Sequence, residues 1–373
     1  MPFGPLGANT VTDLTSPVRA DAGPNATRRF ILILAAAIPA CFMLIWTYVA
    51  LVPAGFMDAG YAVWAAKRAM IDECVAGDVV LLGDSNMAAA VSPGLLNVST
   101  TNLAVINGKT IEAYFALTHI LQCPRLPRYI LLSISIHEFT NMASFWDSTV
   151  KMRFLQAAEI TEVEAKSEVL GDTSVTAAPS FLATYPALRA WAYKYHFPII
   201  YGAVLLQSGL VGRLPRNLGN KVEYVVRRGE LRFGDDNESD AISVDGQLKT
   251  FIPLPILDYY FERILDAAAS AGLRVGFVVT PVNDTTARAM PDSVRKTFRD
   301  FVQAKTARYP NLDVLAAERE AWPTHYFGDG LGHFNRRGTA LFSMRLGACI
   351  DSLERLMPQN NPACREIVVR PVD

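Results

Sequence analysis

A charge imbalance is the first thing this sequence lacks. Its 35 Lys and Arg face 36 Asp and Glu, a net charge of −1. A nucleic-acid binder should carry a clear basic excess, so that class is set aside. Histidine is scarce, at five residues, and with the scattered acids it shows no metal-ligand spacing. No metal and no cofactor is expected. Cysteine is equally rare, again five. No internal repeat is evident.

Apolar residues are abundant, at 51% of the chain, and one run explains much of that. Phe30 to Val52 holds 23 residues without a charge. As a helix it is roughly 34 Å long, enough to cross a bilayer core. Pro39 inside it is tolerable in lipid. A secretory signal would have a shorter apolar stretch and a small-residue cleavage site behind it. Here the run ends at Trp46, Tyr48 and Pro53, which reads as an interfacial anchor. Arg19, Arg28 and Arg29 precede it, and the next basic residue is Lys67. The positive-inside rule then leaves residues 1–29 as a disordered cytoplasmic tail. Residues 30–52 form the transmembrane anchor, and 53–373 form an extracytoplasmic domain. The expected setting is a membrane crossed once, with the domain on its outer side.

Cysteine usage agrees with export. Cys41 lies in the span, and four cysteines remain outside it. An even number in an oxidising compartment permits two disulfides. Cys74 precedes a first candidate strand and Cys123 a third, which puts both at the same edge of a parallel sheet. Cys349 and Cys364 bracket the end of the last helix and its tail. The expected bridges are Cys74–Cys123 and Cys349–Cys364.

The exported part alternates strand and helix. Val79–Leu82, residues 101–108, 128–136, 273–281 and 312–316 read as strands. Residues 111–122, with Thr110 as N-cap, 257–272, 292–309 and 339–357 read as helices. Such alternation means a parallel sheet with helices on both faces, an α/β three-layer sandwich. Between about 141 and 252 the alternation stops, which reads as a large α/β cap insertion. Its aromatic stretch 185–210 suits core, a sugar-stacking surface or a membrane patch. Residues 222–234 alternate around Arg228–Gly229 like a hairpin.

Parallel sheets bind ligands beyond the carboxyl ends of their strands. Ser85 in Gly-Asp-Ser-Asn, Asn107–Gly108, Ser135–His137 and the segment holding Asp329 and His333 all fall at such ends. A serine hydroxyl needs an imidazole to take its proton, and the imidazole needs an orienting acid. Backbone amides must meet the oxyanion. The catalytic candidates are Ser85, His333 and Asp329. His325 is an alternative base without the downstream Asn335 and Gly338 that open a helix.

"GDSN", then "NLAVINGKT", then "DGLGHFNRRG" resemble three of the blocks of the SGNH/GDSL hydrolase superfamily. The resemblance covers about 75–140 and 255–357 and implies the SGNH, flavodoxin-like fold. It implies Ser85 as nucleophile, Asp329 and His333 as its triad partners, and the amides of Ser85 and Gly108 in the oxyanion hole. The pattern differs from the G-x-S-x-G elbow of α/β-hydrolases. Two departures stand out. The family's Gly-x-Asn-Asp block is replaced by "SISIHEFTN", which leaves Ser135, His137 or Asn141 as stand-ins for the oxyanion Asn. Asp329 precedes His333 by four positions rather than three.

With its anchor and insertion, the chain further resembles membrane-anchored SGNH-like proteins of envelope polymer modification. These are the alginate O-acetyltransferase group, the SGNH-like proteins of bacterial cellulose operons and the D-alanyl transfer protein of teichoic acids. That resemblance implies an acyl-serine esterase or O-acyltransferase acting on a polysaccharide or acylated carbohydrate, with a multi-spanning membrane acyltransferase as partner. The alternative is a non-catalytic scaffold that holds the polysaccharide or that partner.

Overall fold

The computed structural model describes residues 24–176, 185–207, 212–234, 237–316, 318–352 and 361–371. The chain divides into two units, Met1–Tyr48 and Val49–Asp373. The first contains most of helix α1 (Pro24–Leu51), which has Pro39 inside it and is apolar enough to cross a membrane. The helix starts at Pro24, so residues 24–29, expected in a disordered tail, are helical. The rest of that tail, 1–23, lies outside the described residues.

The second unit opens with α2 (Tyr61–Asp72) and then β1 (Val79–Gly83), α3 (Ser85–Ala90), β2 (Thr100–Asn102), α4 (Thr110–Ile120) and β3 (Tyr129–Ser133). Helices α5 (Ala157–Val169), α6 (Pro186–Lys194), α7 (Gly202–Gln207), α8 (Arg213–Val226) and α9 (Val244–Gln247) fill the insertion. The alternation resumes with α10 (Pro255–Ser270), β4 (Arg274–Val278), β5 (Val282–Asn283), α11 (Asp284–Ala289) and α12 (Asp292–Arg308). It closes with β6 (Leu312–Ala316), β7 (Ala321–Trp322), α13 (Arg336–Ser352) and α14 (Pro362–Arg365).

Five strands form one parallel sheet in the order β2-β1-β3-β4-β6. That is a doubly wound, flavodoxin-like order, with its switch point between β1 and β3. Alternate residues of the strands enter different cores. Val80, Leu82, Ile130, Leu132, Val275 and Phe277 join the core that includes α4, α10 and α12. Val79, Leu81, Leu131 and Val278 join the core of α3, α13 and α14. Both faces are therefore covered, which explains why the strands read as short continuous apolar runs. Both expected disulfides are formed, Cys74–Cys123 and Cys349–Cys364.

Several sequence expectations are corrected. The described residues of 141–252 contain no strand, so this insertion is helical rather than α/β. The hairpin expected at 222–234 is the end of α8 followed by extended chain. Arg228 and Gly229 do not turn a hairpin but stop the helix. Both have positive φ, and the Gly229 N–H donates to the Tyr224 carbonyl at 2.7 Å. Lys67, buried in α2, then pins that turn by donating to the carbonyls of Asn102, at 2.6 Å, and Gly229. Burial holds the Lys67 amine well below its usual pKa. The strand expected at 101–108 is only Thr100–Asn102, although Leu103 and Val105 still donate to the β1 carbonyls of Leu81 and Gly83 before the chain turns at Gly108. Thr110 begins α4 instead of capping it, and its hydroxyl donates to the Leu257 carbonyl at 2.7 Å. The last long helix is described to Ser352; its expected end, 353–357, lies outside the described residues. A second sheet, β5 paired parallel with β7, has strands too short to leave a pattern.

Candidate active site

The site forms where β1 and β3 end. Gly83 closes β1 with φ +144°, and a Cβ there would lie 1.9 Å from the Ser133 carbonyl oxygen. Only glycine lets the two strand ends approach so closely while the chain turns into α3. Asp84 caps that helix, its Oδ1 accepting from the N–H of Asn86 at 2.9 Å and Met87 at 3.3 Å. Its Oδ2 accepts from the Ser135 N–H at 2.8 Å and from the Ser135 hydroxyl. Burial pushes the Asp84 carboxyl up, against the pull of Ser135 and the Arg319 charge. Asp84 thus locks the turn on which Ser85 stands. As the first residue of α3, Ser85 has an amide with no intrahelical acceptor.

Ser85 Oγ lies 2.8 Å from His333 Nε2, and His333 Nδ1 lies 2.6 Å from Asp329 Oδ2. The three residues expected to act together therefore form one hydrogen-bonded relay. His325 does not take part in it. The extra residue between Asp329 and His333 is absorbed by a turn. Asp329 Oδ1 accepts from the N–H of Leu331 at 2.9 Å and of His333 at 3.1 Å, and Gly332 has φ +89°. Burial alone would raise the Asp329 carboxyl. Its bonds to the His333 ring and to the two amides hold it below the usual carboxylate range. Phe233 stacks on the imidazole, with centroids 4.0 Å apart and planes 16° apart, and His333 is buried. Asn335 opens α13 as expected, its Oδ1 accepting from Arg337 and Gly338.

The expected oxyanion groups are placed less uniformly. Gly108 packs against Gly83, and a Cβ on it would lie 2.3 Å from the Gly83 carbonyl oxygen. Its N–H already donates to the Val105 carbonyl at 3.1 Å, so the expected second amide is engaged elsewhere. Ser135 is committed to Asp84 and accepts from Asn86 Nδ2 at 2.7 Å. Asn141 stands behind His137. Its Oδ1 accepts from the Ala143 N–H at 2.8 Å, which turns Nδ2 toward His137 Nε2 at 2.9 Å. That bond makes Nε2 an acceptor and leaves the ring proton on Nδ1. His137 Nδ1 is buried and has no hydrogen-bond partner among the described residues.

A cavity of about 70 Å³ is lined by Ser85, Asn107, His137, Glu138, Asp245 and His333, among others. Its two acids are neutralised from behind. Glu138 pairs with buried Lys109 at 2.6 Å, and Asp245 pairs with Arg319 at 2.6 Å. Asp245 Oδ1 also accepts from the His137 N–H at 2.8 Å. These supporting residues escaped the sequence reading. Asp245 and Phe233 come from the insertion, where no motif marks them, and nothing in the sequence singles out Lys109 or Glu138. Among the described residues, no group of three or more His, Cys, Asp or Glu is arranged to hold a metal.

This arrangement can deprotonate Ser85 through His333 and hold the resulting imidazolium against Asp329. No protein-family model and no curated protein matches this sequence.

Proposed function

We propose that the chain is an acyl-serine enzyme, an esterase or O-acyltransferase of the SGNH type, acting on a cell-envelope or secreted polysaccharide. The Ser85–His333–Asp329 relay is the observation that carries this reading. The Ser85 hydroxyl attacks the carbonyl carbon of an acyl donor, and His333 Nε2 takes its proton. The oxyanion meets the Ser85 N–H and the His137 Nδ1–H. The donor's alcohol or thiol leaves with the proton returned by His333, and the acyl group stays on Ser85. A hydroxyl of water or of a sugar then gives its proton to His333 and takes the acyl group, and His333 returns that proton to the departing Ser85 oxygen.

The acceptor and partner follow from the resemblance: a polysaccharide hydroxyl, and a multi-spanning membrane acyltransferase that supplies the acyl group. A serine-reactive fluorophosphonate should label the protein at Ser85. Ser85→Ala should abolish labelling, and His333→Ala should slow it by roughly 10²–10⁴. Equal labelling of the wild type and Ser85→Ala would leave the scaffold reading in its place.

A further inference from the structure

Helix α8 leaves an apolar stripe in water. Leu214, Leu218, Val222 and Val226 follow one another at four-residue intervals, so they form one stripe. Their exposures are 40%, 48%, 62% and 75%, increasing toward the C-terminal end. The inward face is mixed: Tyr224 and Val225 pack against the core, and polar side chains anchor the first half. Asn217 is buried and donates to the carbonyls of Ala54 at 3.0 Å and Met57 at 2.9 Å. Arg213 donates to the Phe56 carbonyl at 2.8 Å. An apolar stripe of this length is costly in water, and it belongs against something apolar.

Two further observations identify what covers it. The first is where the helix is held. Residues 54–57 directly follow the apolar span, and Val49, Phe56, Met57, Tyr201 and Val204 form one buried cluster. The first half of α8 is therefore tied to the few residues that leave the end of that span. The second is charge. From Gly212 to Gly229 the chain carries Arg213, Arg216, Lys221, Arg227 and Arg228 against the single acid Glu223. A basic amphipathic helix with a wide apolar stripe suits an anionic lipid surface. Trp191 and Tyr195, both exposed and in ring contact, stand just before the 198–201 turn that adds Tyr201 to the same cluster. Such rings favour the headgroup zone.

We infer that α8 lies in the membrane interface, with Leu214, Leu218, Val222 and Val226 in the acyl-chain boundary and its basic residues among anionic headgroups. This rests on reading residues 30–52 as an uncleaved membrane anchor. The consequence for the site is one of distance. Val226 and Phe233 are seven residues apart, so the end of the stripe lies within about 25 Å of the ring that covers His333.

The test uses the full chain with Cys41→Ser, carrying a single added cysteine at Leu218, Val222 or Val226. Each is labelled with an environment-sensitive fluorophore and reconstituted into vesicles of phosphatidylcholine and phosphatidylglycerol. Lipids bearing a nitroxide on the acyl chain should extinguish most of the emission from all three positions. A label at Lys296 on α12, beside the opposite edge strand β6, should keep its emission. Three exposed positions make the result independent of how any one variant folds. Alkaline carbonate extraction of the same vesicles tests the anchor separately. A chain that washes off removes the anchor and this inference together. An anchored chain whose three labels escape lipid quenching removes the inference alone. Labels shielded from aqueous iodide but untouched by the lipid quencher would show a protein on the stripe, and would overturn it equally.

Discussion

At the scale of single residues, the relay depends on groups that the sequence identified and on others it left unmarked. Ser85, His333 and Asp329 were legible because each stands beyond a strand end with the partner type its chemistry needs. The one doubtful feature, the four-residue gap before His333, is resolved by the Asp329 carboxylate folding its own loop around Gly332. Asp329 is thus held in place as firmly as a closer acid would be. Asp329→Asn should reduce turnover by about 10⁴, as expected when the imidazole is held in the wrong tautomer. Single-turnover acylation of the purified protein measures this.

Asp329 also has a pH signature. Its folded pKa is depressed, so its contribution to stability is full above the unfolded value, about 3.9. That contribution disappears as pH falls through the lower, folded value. The difference in Tm between wild type and Asp329→Asn should therefore be constant at neutral pH and shrink only in strong acid. His137 was one of three candidates for the missing oxyanion donor, and hydrogen bonding separates them. Ser135 is committed to Asp84, Asn141 orients the ring, and His137 retains a free Nδ1–H. His137→Ala should cost roughly 10²–10³ in rate with little change in substrate affinity. Asn141→Ala should lower kcat less and shift the pH profile, because it acts only through the ring. If both variants keep the wild-type rate, the oxyanion lies elsewhere.

At the scale of elements, what was legible tracks burial. β1, β3, β4 and β6 are buried runs ended by sharp changes of polarity, and sequence alone locates them. β5 and β7 are two residues each and carry no such signal. Helix α8 misled for a physical reason. Leu214, Leu218, Val222 and Val226 face outward while Tyr224 packs inward, so the rule that apolar means inside has little hold on it, and Val222, Tyr224 and Val226 look like alternation. Gly83 is the element-scale weak point of the site. Gly83→Ala would drive a methyl into the Ser133 carbonyl. The expected result is a destabilised protein with no labelling at Ser85, read by thermal melting and fluorophosphonate reaction.

The insertion has its own titration. His196 is pushed down to about 4 by burial and by the Arg153 charge. Its unfolded value is near 6.5. The unfolded state then binds the extra proton between these limits, so stability is full above about 6.5 and lost as pH falls toward 4. His196 has φ +54°, a conformation that Asn tolerates. His196→Asn should flatten the Tm–pH curve across that window, and an unchanged slope would assign the effect to another group.

For the whole molecule, the two disulfides suit an oxidising compartment, and one N-terminal helix is apolar enough to cross a membrane. Cys74–Cys123 joins the chain after α2 to the chain after α4 and closes a loop of 49 residues. Cys349–Cys364 joins α13 to α14 across 15 residues. On the chain-entropy account the longer loop contributes about 4 kcal/mol and the shorter about 3. A typical domain is stable by only ~5–15 kcal/mol, so a reducing compartment would remove a large share of that margin. The Cys74→Ser/Cys123→Ser pair should therefore lower the denaturant midpoint more than Cys349→Ser/Cys364→Ser does, with a higher m-value because the freed unfolded chain exposes more surface. The same reasoning fixes the expected orientation. Arg28 and Arg29 precede the span and no basic residue follows it before Lys67, so the folded unit should be delivered to the oxidising side. A reporter fused to the C-terminus should be active only outside the cytoplasm, and peptide mapping of that fusion without reductant should recover both bridges. A reporter active in the cytoplasm, with four free thiols, would reverse the topology.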